Sequence, residues 1–123
     1  MEQSAGPTTR THEALVCGVP TRFVLTAYSN RIFVVVTQSD NFGTLIAAQN
    51  ESPMTPSTCT YSTKILLGRR DDESLESYAR TLCELIYKRN ANAGQLLLAI
   101  SIKEHSPETF RGVMKELEAN RVW

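Results

Sequence analysis

The sequence has little of what marks the specialised protein classes. It has three cysteines in 123 residues, an odd number and widely spaced at Cys17, Cys59 and Cys83. A disulfide scaffold or a zinc module would need pairs. It has no excess of either charge: thirteen Lys and Arg balance thirteen Asp and Glu, for a formal net charge of zero. A surface built to hold a phosphate backbone would carry a basic surplus, so no nucleic-acid partner is expected. No apolar run approaches the ~18 residues that a membrane span requires. The opening stretch Met1-Glu2-Gln3-Ser4-Ala5-Gly6-Pro7 has neither a basic region nor an apolar one, so no secretory signal is expected. A cytoplasmic location follows as the expectation, with the nucleus also open to the chain. Aromatic residues are only 7% of the total, and Pro and Gly together number eleven.

What is present is an ordinary globular composition, 41% apolar and 21% charged, in a length that suits one domain with one core. Residues 1–12 are polar and read as a flexible tail, leaving residues 13–123 as the single domain. The run Ala14-Leu15-Val16-Cys17 is punctuated by Gly18-Val19-Pro20. The next segment, Arg22 to Tyr28, is rich in β-branched and aromatic residues. It is followed by the turn signal Ser29-Asn30 and then by Ile32 to Thr37, and together these read as a hairpin. The turn Asp40-Asn41-Phe42-Gly43 precedes Thr44-Leu45-Ile46-Ala47, and four successive strands with short turns predict an antiparallel meander. Residues 50–60, with Pro53 and Pro56 and no period, predict a flexible loop, and Tyr61 to Leu67 a further strand.

Asp71-Asp72-Glu73 suits a helix N-terminus, with Asp72 as cap. Leu75, Tyr78, Ala79, Leu82, Leu85 and Ile86 follow at helical spacing, and Lys88, Arg89 and Gly94 mark the end. Gln95 to Ile102 reads as a strand. Ser106-Pro107 then opens a second helix with the stripe Phe110, Val113, Met114 and Leu117. The order βββββαβα predicts an α+β domain whose six-stranded sheet is largely antiparallel.

Two of these strands are apolar on both faces. Ile32, Val34 and Val36 alternate with Phe33 and Val35, and Leu96, Leu98, Ile100 and Ile102 alternate with Leu97 and Ala99. A sheet with one face in water alternates apolar with polar residues, so both faces of these strands should be covered. Two helices can cover one face. A second chain is the economical cover for the other, and Phe33, Val35, Leu97 and Ala99 are the expected dimer face. The competing cover is the loop at 50–60, which is too polar and proline-rich for a lid.

Chemistry is hard to find. Phosphate-loop, nucleophile-elbow and zinc-protease patterns are missing. Asp71, Asp72 and Glu73 fit a helix start better than an acid–base pair, and Arg69-Arg70 read as a solvated, charge-balanced junction. Cys17 and Cys83 read as reduced, buried thiols, and His12 and His105 are far apart. Trp123 is open to two readings, a plug against the body or an exposed anchor. No catalytic residue, cofactor or metal is expected.

Several short segments in order carry a resemblance: Val16-Cys17-Gly18-Val19-Pro20-Thr21, Val36-Thr37-Gln38, Gly43-Thr44-Leu45, Thr63-Lys64 with Leu66-Leu67-Gly68, Leu97-Leu98-Ala99 and Val122-Trp123. With these the chain resembles the proteasome assembly chaperone 3 family over about residues 14–123, departing at 1–13, 49–60 and 88–94. The resemblance implies a non-enzymatic chaperone of 20S proteasome assembly that dimerises by stacking sheets. The dimer would form with itself or with proteasome assembly chaperone 4. It would bind α-ring subunits, alpha type-5 above all, and leave before the particle matures. The alternative class is a small cytosolic enzyme using a residue such as Cys17, or another dimeric scaffold. A concave pocket with converging polar groups would favour the enzyme, and a self-complementary apolar face the chaperone.

Overall fold

The computed structural model describes residues 8–38, 43–51, 61–68, 73–90 and 93–123. Six strands and two helices follow in the expected order: β1 (Thr8–Val16), β2 (Val19–Ala27), β3 (Arg31–Thr37), β4 (Thr44–Asn50), β5 (Tyr61–Leu67), α1 (Glu73–Arg89), β6 (Gln95–Ser101) and α2 (Pro107–Ala119). The strands make one sheet in the order β1-β2-β3-β6-β4-β5, so the fold is α+β as expected. All neighbours are antiparallel except β3 and β6, which run parallel.

The meander expected from the first four strands stops at three, because β6 inserts between β3 and β4. The reason lies in the side chains. β3 and β6 are the two strands apolar on both faces, and the two central places in the sheet are the ones that a strand without a polar face can occupy. Their parallel register pairs Ile32 with Leu96, Val34 with Leu98 and Val36 with Ile100, and all six are buried. β1 and β5, the most polar strands, take the edges.

β1 begins at Thr8, so residues 8–12, expected within a flexible tail of 1–12, are paired strand. The pairing explains why polarity misled: His12 faces the core side beside Phe23, while Thr9 shares a hydroxyl–hydroxyl bond of 3.2 Å with Thr26 of β2. Between β1 and β2 the chain turns through Cys17 (φ 52) and Gly18 (φ 80). Two successive left-handed residues make the turn that matches strand twist. Cys17 is therefore exposed at a hairpin tip, not buried as expected; Cys83 is buried.

Both helices lie on one face of the sheet. α1 buries Leu75, Tyr78, Ala79, Leu82, Cys83 and Ile86, and α2 buries Thr109, Val113, Met114 and Leu117. They close over Phe23, Leu25, Val34, Val36, Ile46, Leu96, Leu98 and Ile100, none more than 1% exposed. The second helix starts as its sequence requires: the Ser106 hydroxyl accepts from the Thr109 amide at 3.1 Å, with Pro107 following it. Gly94, before β6, has φ +85, and a Cβ there would run into the Asn30 carbonyl, so only glycine fits that approach. The Asp40–Phe42 turn, Cys59, Arg69 and Arg70, the cap assigned to Asp72 and most of the loop at 50–60 lie outside the described residues.

Candidate interaction surface

With the helices on one side, the other side of the sheet carries every second side chain. The registers align them in rows across the six strands. One row runs Thr9, Thr26, Phe33, Leu97, Ala47, Lys64. The next runs Thr11, Val24, Val35, Ala99, Leu45, Leu67. The apolar side chains thus fill the middle of the face and spread over β2, β3, β6 and β4.

The four residues expected to form a dimer face are brought together: Phe33 stands beside Leu97 and Val35 beside Ala99 across the parallel pair. Phe33, Val35 and Leu97 are half-buried, with area to offer. Ala99 is 0% exposed, enclosed by its neighbours, and contributes a flat floor rather than contact area. Val24 and Leu45 belong to the same patch and were missed. Their same-face neighbours along the strand are polar or small, Arg22 and Thr26 for Val24 and Ala47 for Leu45, and their signal is positional: each alternates with a core residue, Val24 with Phe23 and Leu25, Leu45 with Ile46.

Polar groups border the patch at both ends. At one end Glu51 accepts from Ser62 Oγ at 2.6 Å and from Gln49 Nε2 at 2.9 Å, and these bonds lower its pKa from the ordinary carboxylate value. At the other end Arg22 pairs with Glu13 at 3.1 Å beside a cleft of about 400 Å³ lined by Leu15, Pro20, Thr37 and Gln38. Gln38 belongs to the scaffold there. Its amide donates to Thr21 Oγ1 at 3.0 Å and accepts from the Lys103 amide at 2.9 Å, tying the end of β3 to β2 and to the segment before α2.

Large apolar side chains stand out at the corners: Leu15 is 69% exposed, Leu67 59% and Leu66 39%. Leu66 owes its position to a slip in the pairing of β4 with β5, where Leu45 meets Leu67 but Ile46 meets Ile65.

An apolar centre with a polar border is the anatomy of a protein–protein contact. Among the described residues no group of three His, Cys, Asp or Glu side chains could hold a metal ion. The exposed Cys17 occupies a hairpin tip, and burial raises the Cys83 thiol to about 11. His105 is exposed and Trp123 packs back against the core, as the plug reading has it. No helix is long and apolar enough to cross a membrane among the described residues.

The model of the family described as Proteasome assembly chaperone 3 matches residues 34–120. The chain belongs to the proteasome assembly chaperone 3 family. It is 34% identical over 117 residues to Proteasome assembly chaperone 3 of Bos taurus, covering 94% of both chains. Against the protein of that name from Homo sapiens it is 34% identical, over 89% of this chain and 88% of the relative. With that from Nematostella vectensis it shares 33% over 94% and 90%. The fold is shared with a chain of a crystal structure described as a novel chaperone complex for yeast 20S proteasome assembly. There the TM-score is 0.70 at 12% identity, covering 91% of this chain and 97% of that one. The matched stretch contains β3 from Val34 on, β4, β5, β6 and both helices, so it holds most of the apolar face as well as the core.

Proposed function

We propose that this chain is a non-enzymatic assembly chaperone of the 20S proteasome that acts as a dimer through the open face of its sheet, binds α-ring subunits and leaves before the particle matures. The observation that carries the reading is the face itself. Phe33, Val35, Leu97, Val24 and Leu45 form one apolar patch on the side that the helices leave uncovered. A patch of this kind, bordered by polar residues, fits a partner chain better than water. Family membership supplies the process. The partner across the face is a second copy or proteasome assembly chaperone 4, the α-ring contact is the alpha type-5 subunit, and the site of action is the cytoplasm, with the nucleus also accessible.

A chaperone that must leave has to bind the intermediate better than the product. The surface it holds is therefore one that a later subunit ring covers, and the difference in affinity drives release. With zero net charge, recognition works by shape and local pairing rather than long-range steering. The experiment is a pull-down of tagged protein from growing cells, with precursors separated from mature particles by size. Free α-subunits and α-ring intermediates are expected in the eluate. Equal recovery of mature 20S particles, or no α-subunit at all, would remove the reading.

A further inference from the structure

Two of the segments on which the family resemblance rests, Val16–Thr21 and Val36–Gln38, meet at one end of the sheet. Their junction is the carboxamide of Gln38, 8% exposed, beside Thr21 at 2%. The Lys103 main-chain amide, in the segment that leads into α2, donates to Gln38 Oε1 at 2.9 Å. Gln38 Nε2 donates to Thr21 Oγ1 at 3.0 Å, and Thr21 Oγ1 donates to the Val19 carbonyl at 2.9 Å. A single line of hydrogen bonds thus runs from the lead of α2 to the hairpin between β1 and β2.

Chemistry fixes the direction of this line. A main-chain N–H can only donate, so the carboxamide oxygen must face Lys103 and the nitrogen must face Thr21. That nitrogen also only donates, so Thr21 Oγ1 accepts there and keeps its one proton for Val19. Gln38 is anchored from behind as well, because its own main-chain amide donates to the Ser101 carbonyl at 2.9 Å. No member can turn round without stranding a buried donor, and aligned bonds in a poorly solvated place strengthen one another.

The two ends of the line belong to different layers. One is the exposed hairpin, with Cys17 at its tip and Leu15 69% exposed. The other is the approach to the Ser106 cap of α2. Packing joins the same parts, since Val16 lies against Gly112. Apolar packing tolerates a small slide, whereas directed hydrogen bonds weaken steeply with angle.

We propose that Gln38 is the positioning residue of a conformational device: it locks the β1–β2 hairpin and the lead of α2 into one unit that opens and shifts together. A load on the exposed hairpin is then carried through the sheet to the helix layer. The device depends on the Thr21 hydroxyl and not on its shape. Without that acceptor the Gln38 amide must look for another partner, and its hold on Lys103 goes with it.

The test is amide hydrogen exchange of the full chain, each rate taken relative to the Leu98 amide in the central strand, so that a change in global stability cancels. Thr21→Val keeps the shape and removes the hydroxyl. The amides of Lys103, Val16 and Val19 should all exchange at least about tenfold faster. Thr21→Ser keeps the hydroxyl and loses a methyl, and should stay within about twofold of wild type. If packing alone joins the two parts, the order reverses and the serine variant is the looser. Gln38→Met removes both side-chain bonds at nearly the same length. At Val16 and Val19 the double variant with Thr21→Val should exchange no faster than either single one, because each change breaks the same line. Unchanged Lys103 exchange in Thr21→Val, equal loosening by serine and valine, or additive effects of the two changes at the hairpin would each overturn the device.

Discussion

His12 and Glu116 stand 104 residues apart and meet at 2.7 Å, imidazole Nε2 against carboxylate Oε1, both about a third exposed or less. The contact joins the middle of edge strand β1 to the last helix. It is a polar tie that holds α2 over that end of the sheet, beside apolar packing. A Val16 methyl lies so close to Gly112 that a side chain there would displace it.

Glu116→Ala removes the acceptor and leaves the imidazole half-buried, at an expected loss of about 1 kcal/mol. That corresponds to a drop of roughly 4 °C in melting temperature. Glu116→Gln keeps a hydrogen-bonding group in place and should lose less than half as much. Thermal unfolding by circular dichroism of the two variants checks the ordering; equal losses would show that the charge, not the hydrogen bond, holds the helix.

Gly94 makes the sharpest backbone prediction. It combines φ +85 with an approach to the Asn30 carbonyl that leaves no room for a Cβ. Gly94→Ala adds left-handed strain to a backbone collision, and at least about 2 kcal/mol of stability should go. The loss should be seen in urea unfolding as a lower midpoint with unchanged slope. Since Asn30 sits in the β2–β3 turn, amide exchange should accelerate there as well as around residue 94.

The central strands were the legible part of this fold. Val35 and Leu97 break the apolar–polar alternation, and that anomaly alone placed their strands under cover on both faces; the structure puts those strands side by side in the middle of the sheet. The start of α2 was legible because Ser106-Pro107 satisfies and pre-shapes the first turn by local chemistry. Pairing partners were not legible, because the insertion of β6 between β3 and β4 is decided by burial across the whole sheet and not by any turn. The first half of β1 escaped because an edge strand with its outer face in water needs no apolar period, so Thr8 to His12 read as tail. Gln38 escaped for a related reason: a buried amide that bonds to Thr21 and Lys103 leaves no mark in a hydrophobic pattern. On the candidate face, Phe33, Val35 and Leu97 were visible as excess hydrophobicity, while Leu15, Leu66 and Leu67 became notable only once their exposure was known.

Val35→Asp tests the face without touching the core. Val35 is flanked by Val24 and Ala99 in its row, so a carboxylate there is desolvated in a stacked pair and solvated in a single chain. The dissociation constant of the dimer should rise at least about 100-fold while monomer stability changes by less than about 1 kcal/mol. Sedimentation should report monomer, and circular dichroism an intact fold. A stable dimer in this variant would move the interface off the sheet.

Cys83 links stability to alkaline pH with a definite sign. Burial on the inner face of α1 raises its thiol from 9.0 to about 11, because the thiolate is poorly solvated there. In the unfolded chain the thiol ionises near its ordinary value. The unfolded state therefore releases a proton between pH 9 and 11 that the folded state retains, and stability falls as pH rises through that window. The contribution is fully present below pH 9, and the loss by pH 11 is at most about 2 kcal/mol. Other groups titrate in the same range, so the measurement is a difference. Urea unfolding of wild type and Cys83→Ala is compared at pH 8 and pH 10.5, and the wild type should lose more. Thiol reactivity gives an independent check in a Cys59→Ser background. The exposed Cys17 should react with a thiol reagent at the rate of a free thiol, and Cys83 only as fast as the protein opens. A Cys83 that reacts as fast as Cys17 in the folded protein would mean that this face of α1 is not packed against the core, and the pH effect should then vanish too.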